Sequence, residues 1–182
     1  MARLAHDTYE EIKRKVVEFY KEMNVNSLPI DCFGITQKLG FTIIKFSDLS
    51  EQVREMVSEC GGDAYTLDLI DSNEKYIFYN DDVVMGKQRF SIMHELGHYV
   101  LGHKESDSEL AESEADFFAK YALAPLPLLF QRNIDNYIDL AEQFEISKEC
   151  AYYVMDNYMK WIMYGSPKFT DYENDLIKLF KC

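Results

Sequence analysis

The chain has 182 residues, 47% of them hydrophobic, which suits one domain, or one domain with an appendage, built on a real core. Asp and Glu total 32 against 19 Lys and Arg, a formal net charge of −13. Such a surface repels a phosphate backbone and an anionic membrane alike, so neither direct nucleic-acid binding nor membrane binding is expected.

The N-terminal segment MARLAHDTYEEIKRK lacks the apolar run of a secretory signal, so a cytoplasmic protein is expected. Thr8 to Glu11 has the spacing of a capping box, and Ile12, Val16, Phe19, Tyr20 and Met23 then recur at helical steps, predicting an amphipathic helix to about Asn24. A short helix over 31–39 ends at Gly40, and Phe41 to Phe46 has the β-branched and aromatic content of a strand. Ser50 to Glu59 can form another helical turn or two before Gly61-Gly62. Ala64 to Ile70 and Lys75 to Asn80 flank the turn-like Asp71-Ser72-Asn73-Glu74 and predict a β-hairpin. Helices are then expected over 82–101, over 108–124 up to Pro125, and over 134–164 and 171–181, the last two joined at Gly165-Ser166-Pro167. The four cysteines are far apart with no CxxC pair, so they are expected to be reduced thiols, three of them buried and Cys182 at a frayed end.

The chemistry concentrates in HELGHYVLGH, His94 to His103. On a helix His94 and His98 share a face one turn apart, so both imidazoles can meet one ion, while Glu95 stands about 100° away, able to act as a base without ligating. Five letters of this kind arise by chance in roughly one chain of this length in two hundred, so a third ligand has to be found. A histidine six residues after the second one would supply it in one class of zinc site, but that position is Lys104, and Gly102 and His103 are each one place out of register. The other solution is a carboxylate from a following helix. Glu112 and Asp116, four apart, share a face there, so one can ligate while the other receives a ring N–H; the preferred assignment is Glu112 to the metal and Asp116 to His94. Glu114 points about 200° from Glu112, so both glutamates cannot serve. Ala111, Ala115, Ala119 and Ala122 would let two helices approach closely.

These residues resemble the ImmA/IrrE family of zinc metallopeptidases. The likeness is carried by RFSIMHELGHYVLGH (Arg89 to His103) and ESEADFFAKYALAP (Glu112 to Pro125), with weaker matches in LPIDCFGITQKLGFTI (Leu28 to Ile43) and YIFYNDD (Tyr76 to Asp82). Leu123-Ala124-Pro125 departs from the commoner Leu-Met-Pro, which touches packing and not chemistry. The resemblance implies an α+β, zincin-like fold: a small twisted sheet against the HExxH helix and a Glu-bearing helix, residues 1–130, with a helical extension over 131–182 packed on it. It implies one Zn²⁺ held by His94, His98 and Glu112, with Glu95 as catalytic base. The implied substrate is a helix-turn-helix repressor of a mobile element or stress regulon; the alternative is a regulator that binds such a partner without cutting it.

Three further expectations follow from position. The strand Tyr76, Ile77, Phe78, Tyr79 and Asn80, if at a sheet edge beside the cleft, would pair with an extended substrate. His103 is expected to be a loop or C-capping residue, and Arg89 a structural ion-pair partner. Leu140 to Trp161 has the look of a helix-turn-helix, but Arg132, Lys148 and Lys160 stand there against Asp135, Asp139, Glu142, Glu145, Glu149 and Asp156, the wrong sign for DNA, so it is read as a packing or partner-binding element.

Overall fold

A computed structural model describes residues 4–69, 71, 74–103, 108–164 and 168–181. The expected turn residues Ser72 and Asn73, Lys104, the joint at Gly165-Ser166-Pro167 and Cys182 lie outside them. The fold is α+β. Helix α1 (His6–Met23) begins two residues before Thr8, so the Thr8 capping box does not form, and it ends on Asn24 in the left-handed region. Helix α2 (Cys32–Lys38) is capped by Asp31, whose carboxylate accepts from Gly34 N. Strand β1 (Phe41–Lys45), helix α3 (Glu51–Gly61) and the hairpin of β2 (Ala64–Leu69) and β3 (Glu74–Tyr79) follow.

The sheet order is β1-β3-β2, with β1 parallel and β2 antiparallel to β3. This corrects the expectation for Tyr76 to Asn80. Those residues belong to or adjoin the central strand, whose backbone is engaged on both sides: Ile77 is opposite Ile43 in β1 and Thr66 in β2. They cannot take up a further strand. The open edge nearest the histidines belongs instead to β2. The pleat sends Phe41, Ile43, Ala64, Thr66, Ile77 and Tyr79 to one face, where Phe41, Ala64, Ile77 and Tyr79 are buried.

Helix α4 (Met85–Leu101) packs against β2 and β3. It starts three residues later than the periodicity predicts, because local side chains hold 80–83 as a turn. Asn80 Oδ1 accepts from Asp82 N, and the Gln88 amide donates to the carbonyls of Asp81 and Val83. Helix α5 (Glu109–Leu123), capped by Ser108, packs along α4 in the most extensive helix contact among the described residues. The short α6 (Leu126–Gln131), not anticipated from sequence, follows Pro125 at its N-cap and carries Pro127 in its first turn, where the missing N–H costs no helical hydrogen bond. Helices α7 (Tyr137–Phe144), α8 (Lys148–Tyr164) and α9 (Asp171–Leu179) complete the chain. Asn136 caps α7, and Thr170 and Glu173 form a full capping box on α9.

One buried cluster runs from Leu4 through α1, the sheet, α4, α5 and α8 to Leu176. The buried Tyr20 hydroxyl donates to the Ala122 carbonyl, tying α1 to α5. Arg89, 5% exposed, reaches Ile30 O at 2.8 Å and Phe144 O at 3.4 Å and pairs with Glu145 at 3.4 Å. It thus holds the turn between α7 and α8 onto the start of α4, where Gly86 meets the Ile146–Ser147 backbone so closely that a Cβ would fall 2.4 Å from Ser147 N. In the helix-turn-helix-like segment Leu140, Phe144, Cys150 and Val154 are buried, while Tyr152, Tyr153 and Met159 are exposed. Cys32 and Cys150 are buried, but Cys60 is exposed, since the end of α3 turns it outward. Among the described residues no helix is long and apolar enough to cross a membrane.

Candidate metal centre

Helical periodicity brings His94 and His98 to one side of α4, with their Nε2 atoms 3.0 Å apart. Glu112, in the first turn of α5, faces them: Oε2 lies 3.2 Å from His94 Nε2 and Oε1 lies 3.3 Å from His98 Nε2. Gly97 permits this approach. A Cβ there would sit 3.1 Å from Phe118 Cδ1 and 3.2 Å from Ala115 Cα, so the two helices meet backbone to backbone at Ala115, the residue before Asp116. Ala115, one of the alanines expected to bring the helices together, lies in this contact.

The donor set fits a zinc ion. Four ligands at about 2.05 Å in a tetrahedron stand about 3.3 Å from one another, which is the spacing found here among two nitrogens and a carboxylate. His94, His98 and Glu112 are the one group of metal-ligating side chains of this kind among the described residues. The histidine side chains are 17% and 12% exposed and that of Glu112 is 51% exposed, so the group opens to solvent on the carboxylate side. A cavity of about 660 Å³ lies elsewhere, between α1, α5, α8 and α9, and none of these three residues lines it.

Each imidazole is held from behind. His94 Nδ1 lies 3.0 Å from Asp116 Oδ1, and because a carboxylate only accepts, the ring donates from Nδ1 and keeps Nε2 bare. Lys120 stands 3.7 Å from the other Asp116 oxygen. Burial opposes charge on His94, but the Asp116 hydrogen bond and the carboxylates of Glu95, Asp116 and Glu112 outweigh it and raise its pKa. Burial likewise disfavours the Asp116 anion, yet His94 and Lys120 hold its pKa below the usual range. For His98, burial, with charge on His94 and His103, pushes the pKa down to about 4.

His98 Nδ1 is 3.0 Å from His103 Nδ1, and His103 Nε2 is 2.9 Å from Glu114 Oε2. His103 therefore does more than the expected capping, and Glu114, set aside as a ligand by its direction on α5, meets this second ring instead. The available signal was Gly102 at C′, which folds the next residue back over the last turn: His103 N donates to His98 O. With both nitrogens engaged, His103 is not a free donor at the site.

Glu95 lies on the same turn of α4 as His94 and faces β2. Burial raises its pKa; Thr66 and the His94 charge oppose that rise without cancelling it. Thr66 Oγ1, buried on the inner face of β2, is within electrostatic reach of the carboxylate but makes no well-aligned hydrogen bond.

Two imidazoles and a carboxylate converge beside a partly buried glutamate on an α+β scaffold, the arrangement of a candidate HExxH metal centre. The family comparison is narrower. A model described as the IrrE N-terminal-like domain, of the peptidase M78 type, matches residues 39–155, and the chain belongs to this ImmA/IrrE family of zinc-dependent peptidases. The matched span includes β1 to β3, α4 and α5, and so every residue of the centre. No curated protein sequence matches the chain.

Proposed function

We propose that the chain is a zinc endopeptidase of the zincin type, acting in the cytoplasm on a protein substrate, a helix-turn-helix repressor. The observation that carries the reading is the convergence of His94, His98 and Glu112 at ligand spacing with Glu95 alongside and a solvent-open side. His94 and His98 would hold the ion through Nε2 and Glu112 through its carboxylate. Bound there, zinc supplies Lewis acidity to the scissile carbonyl and lowers the pKa of water.

The remaining work falls to the chain's own groups. Glu95, beside the metal position and with its pKa raised by burial, is suited to take a proton from water and return it to the departing amine nitrogen. Asp116 keeps the His94 lone pair turned inward. β2, beside Glu95, is an edge strand of the sheet, and an extended peptide would add to that edge, the part first sought in Tyr76 to Asn80. The net charge of −13 favours a basic partner, as DNA-binding proteins are, over nucleic acid itself.

The test mixes zinc-loaded protein with the repressor-like product of a neighbouring gene. A discrete fragment is expected with the natural chain and none with Glu95→Gln, at unchanged zinc stoichiometry. Tight binding with no fragment from either protein would favour a non-cleaving regulator.

A further inference from the structure

We propose that His103 and Glu114 are the positioning pair for His98, selecting the tautomer in which its Nε2 lone pair faces the metal position. The proposal rests on the metal-site reading above. It starts from a proton count. Glu114 only accepts, so at 2.9 Å the proton of that contact sits on His103 Nε2. A neutral His103 then has a bare Nδ1, which at 3.0 Å accepts from His98 Nδ1–H. His98 is left with a bare Nε2, the atom that faces His94 Nε2 and the Glu112 carboxylate.

The geometry is built rather than incidental. Gly102, at φ 76°, ends α4 in a left-handed turn, and the His103 ring returns to cross that of His98 at 5.1 Å and 70°. Side chains of His103 and Glu114 are only 12% and 22% exposed. Glu114 belongs to α5, two residues beyond Glu112, and projects about 200° around the helix from it. The two ligand histidines are thus oriented by different chemistry: His94 directly by a carboxylate, His98 through an intervening imidazole that carries the same preference one ring further.

Imidazole ¹⁵N NMR of the zinc-loaded protein reads the proposal directly. His98 is expected as the Nδ1–H form bound through Nε2, and His103 as the neutral Nε2–H form. A doubly protonated His103, or His98 carrying its proton on Nε2, would overturn it. Competition with a chelator gives the second readout: His103→Ala is expected to weaken zinc binding by roughly ten- to a hundredfold. His103→Asn, whose Oδ1 can take the place of Nδ1 as acceptor, should recover part of that loss. A pair that merely fastened α4 to α5 would lower the Tm of the metal-free protein and leave the zinc affinity of the folded chain within twofold, which also defeats the proposal. If the natural chain takes up no zinc, the metal-site reading falls; if it binds zinc and His103→Ala binds equally well, only this inference falls.

Discussion

Gly97 provides the sharpest test of how the helix packing sets the ligand geometry. An added Cβ would lie 3.1 Å from Phe118 Cδ1, 3.2 Å from Ala115 Cα and 3.3 Å from Ala115 O. Ordinary carbon contacts fall at about 3.5–4.0 Å, so Gly97→Ala is short of room by about 0.3 Å or more. Phe118 can rotate slightly, but the other two atoms are α5 backbone, and relief requires α5 itself to retreat. Alanine gains about 1 kcal/mol of helix propensity over glycine, while overpacking of this kind costs about 1–3 kcal/mol. The net expectation is a loss of about 1 kcal/mol, or about 3 °C in Tm for a chain of this size.

The consequence for the centre is larger than that for the fold. Ala115 lies between Glu112 and Asp116, so a retreat of about 0.3 Å carries the third donor and the His94 partner together beyond the roughly 0.2 Å tolerance of a zinc site. Zinc affinity should fall at least about tenfold, in keeping with disturbance of groups that orient ligands. Thermal unfolding of the metal-free protein and chelator competition measure the two effects separately. A higher Tm with unchanged zinc affinity would show that the α4–α5 distance is not what places Glu112.

Asp116→Ala removes the acceptor for His94 Nδ1 and should weaken zinc binding by roughly ten- to a hundredfold, with Asp116→Asn losing less because its amide oxygen still accepts; equal affinity in all three proteins would refute the role. The pH dependence of the metal-free protein carries a defined sign. His98 titrates at about 4 when folded and near 6.5 when unfolded, so from 6.5 down to 4 the unfolded state holds the extra proton and stability falls with pH. At about 1.4 kcal/mol per pH unit the loss reaches about 3 kcal/mol. His94 has its pKa raised; its contribution is complete below 6.5 and is lost only as pH rises through the folded value, so it adds no slope in that window. Glu95, with its raised pKa, works in the opposite direction above 4.5. Urea unfolding of the natural chain and His98→Gln at pH 6.5 and 4.5 isolates the His98 effect, and parallel losses in the two proteins would contradict it.

Local periodicity was enough to place much of this centre. The four-residue spacing of His94 and His98, and of Glu112 and Asp116, dictates a shared helix face wherever those segments are helical, and His94, His98, Glu112 and Asp116 meet accordingly. The pairing of β2 with β3 was legible for the same reason, since β-prone runs close in sequence act on near neighbours. Strand order is a different kind of fact. Nothing within KYIFYN distinguishes a central from an edge strand, and β3 became central because β1, separated from it by α3 and β2, pairs on its far side. The meeting of His103 with Glu114 is likewise tertiary: Gly102 turns the ring back, but only the close crossing of α4 and α5 brings a carboxylate to it. Short-range hydrogen bonding and side-chain period are written in adjacent residues, whereas pairing between distant segments depends on which surfaces the whole chain buries together.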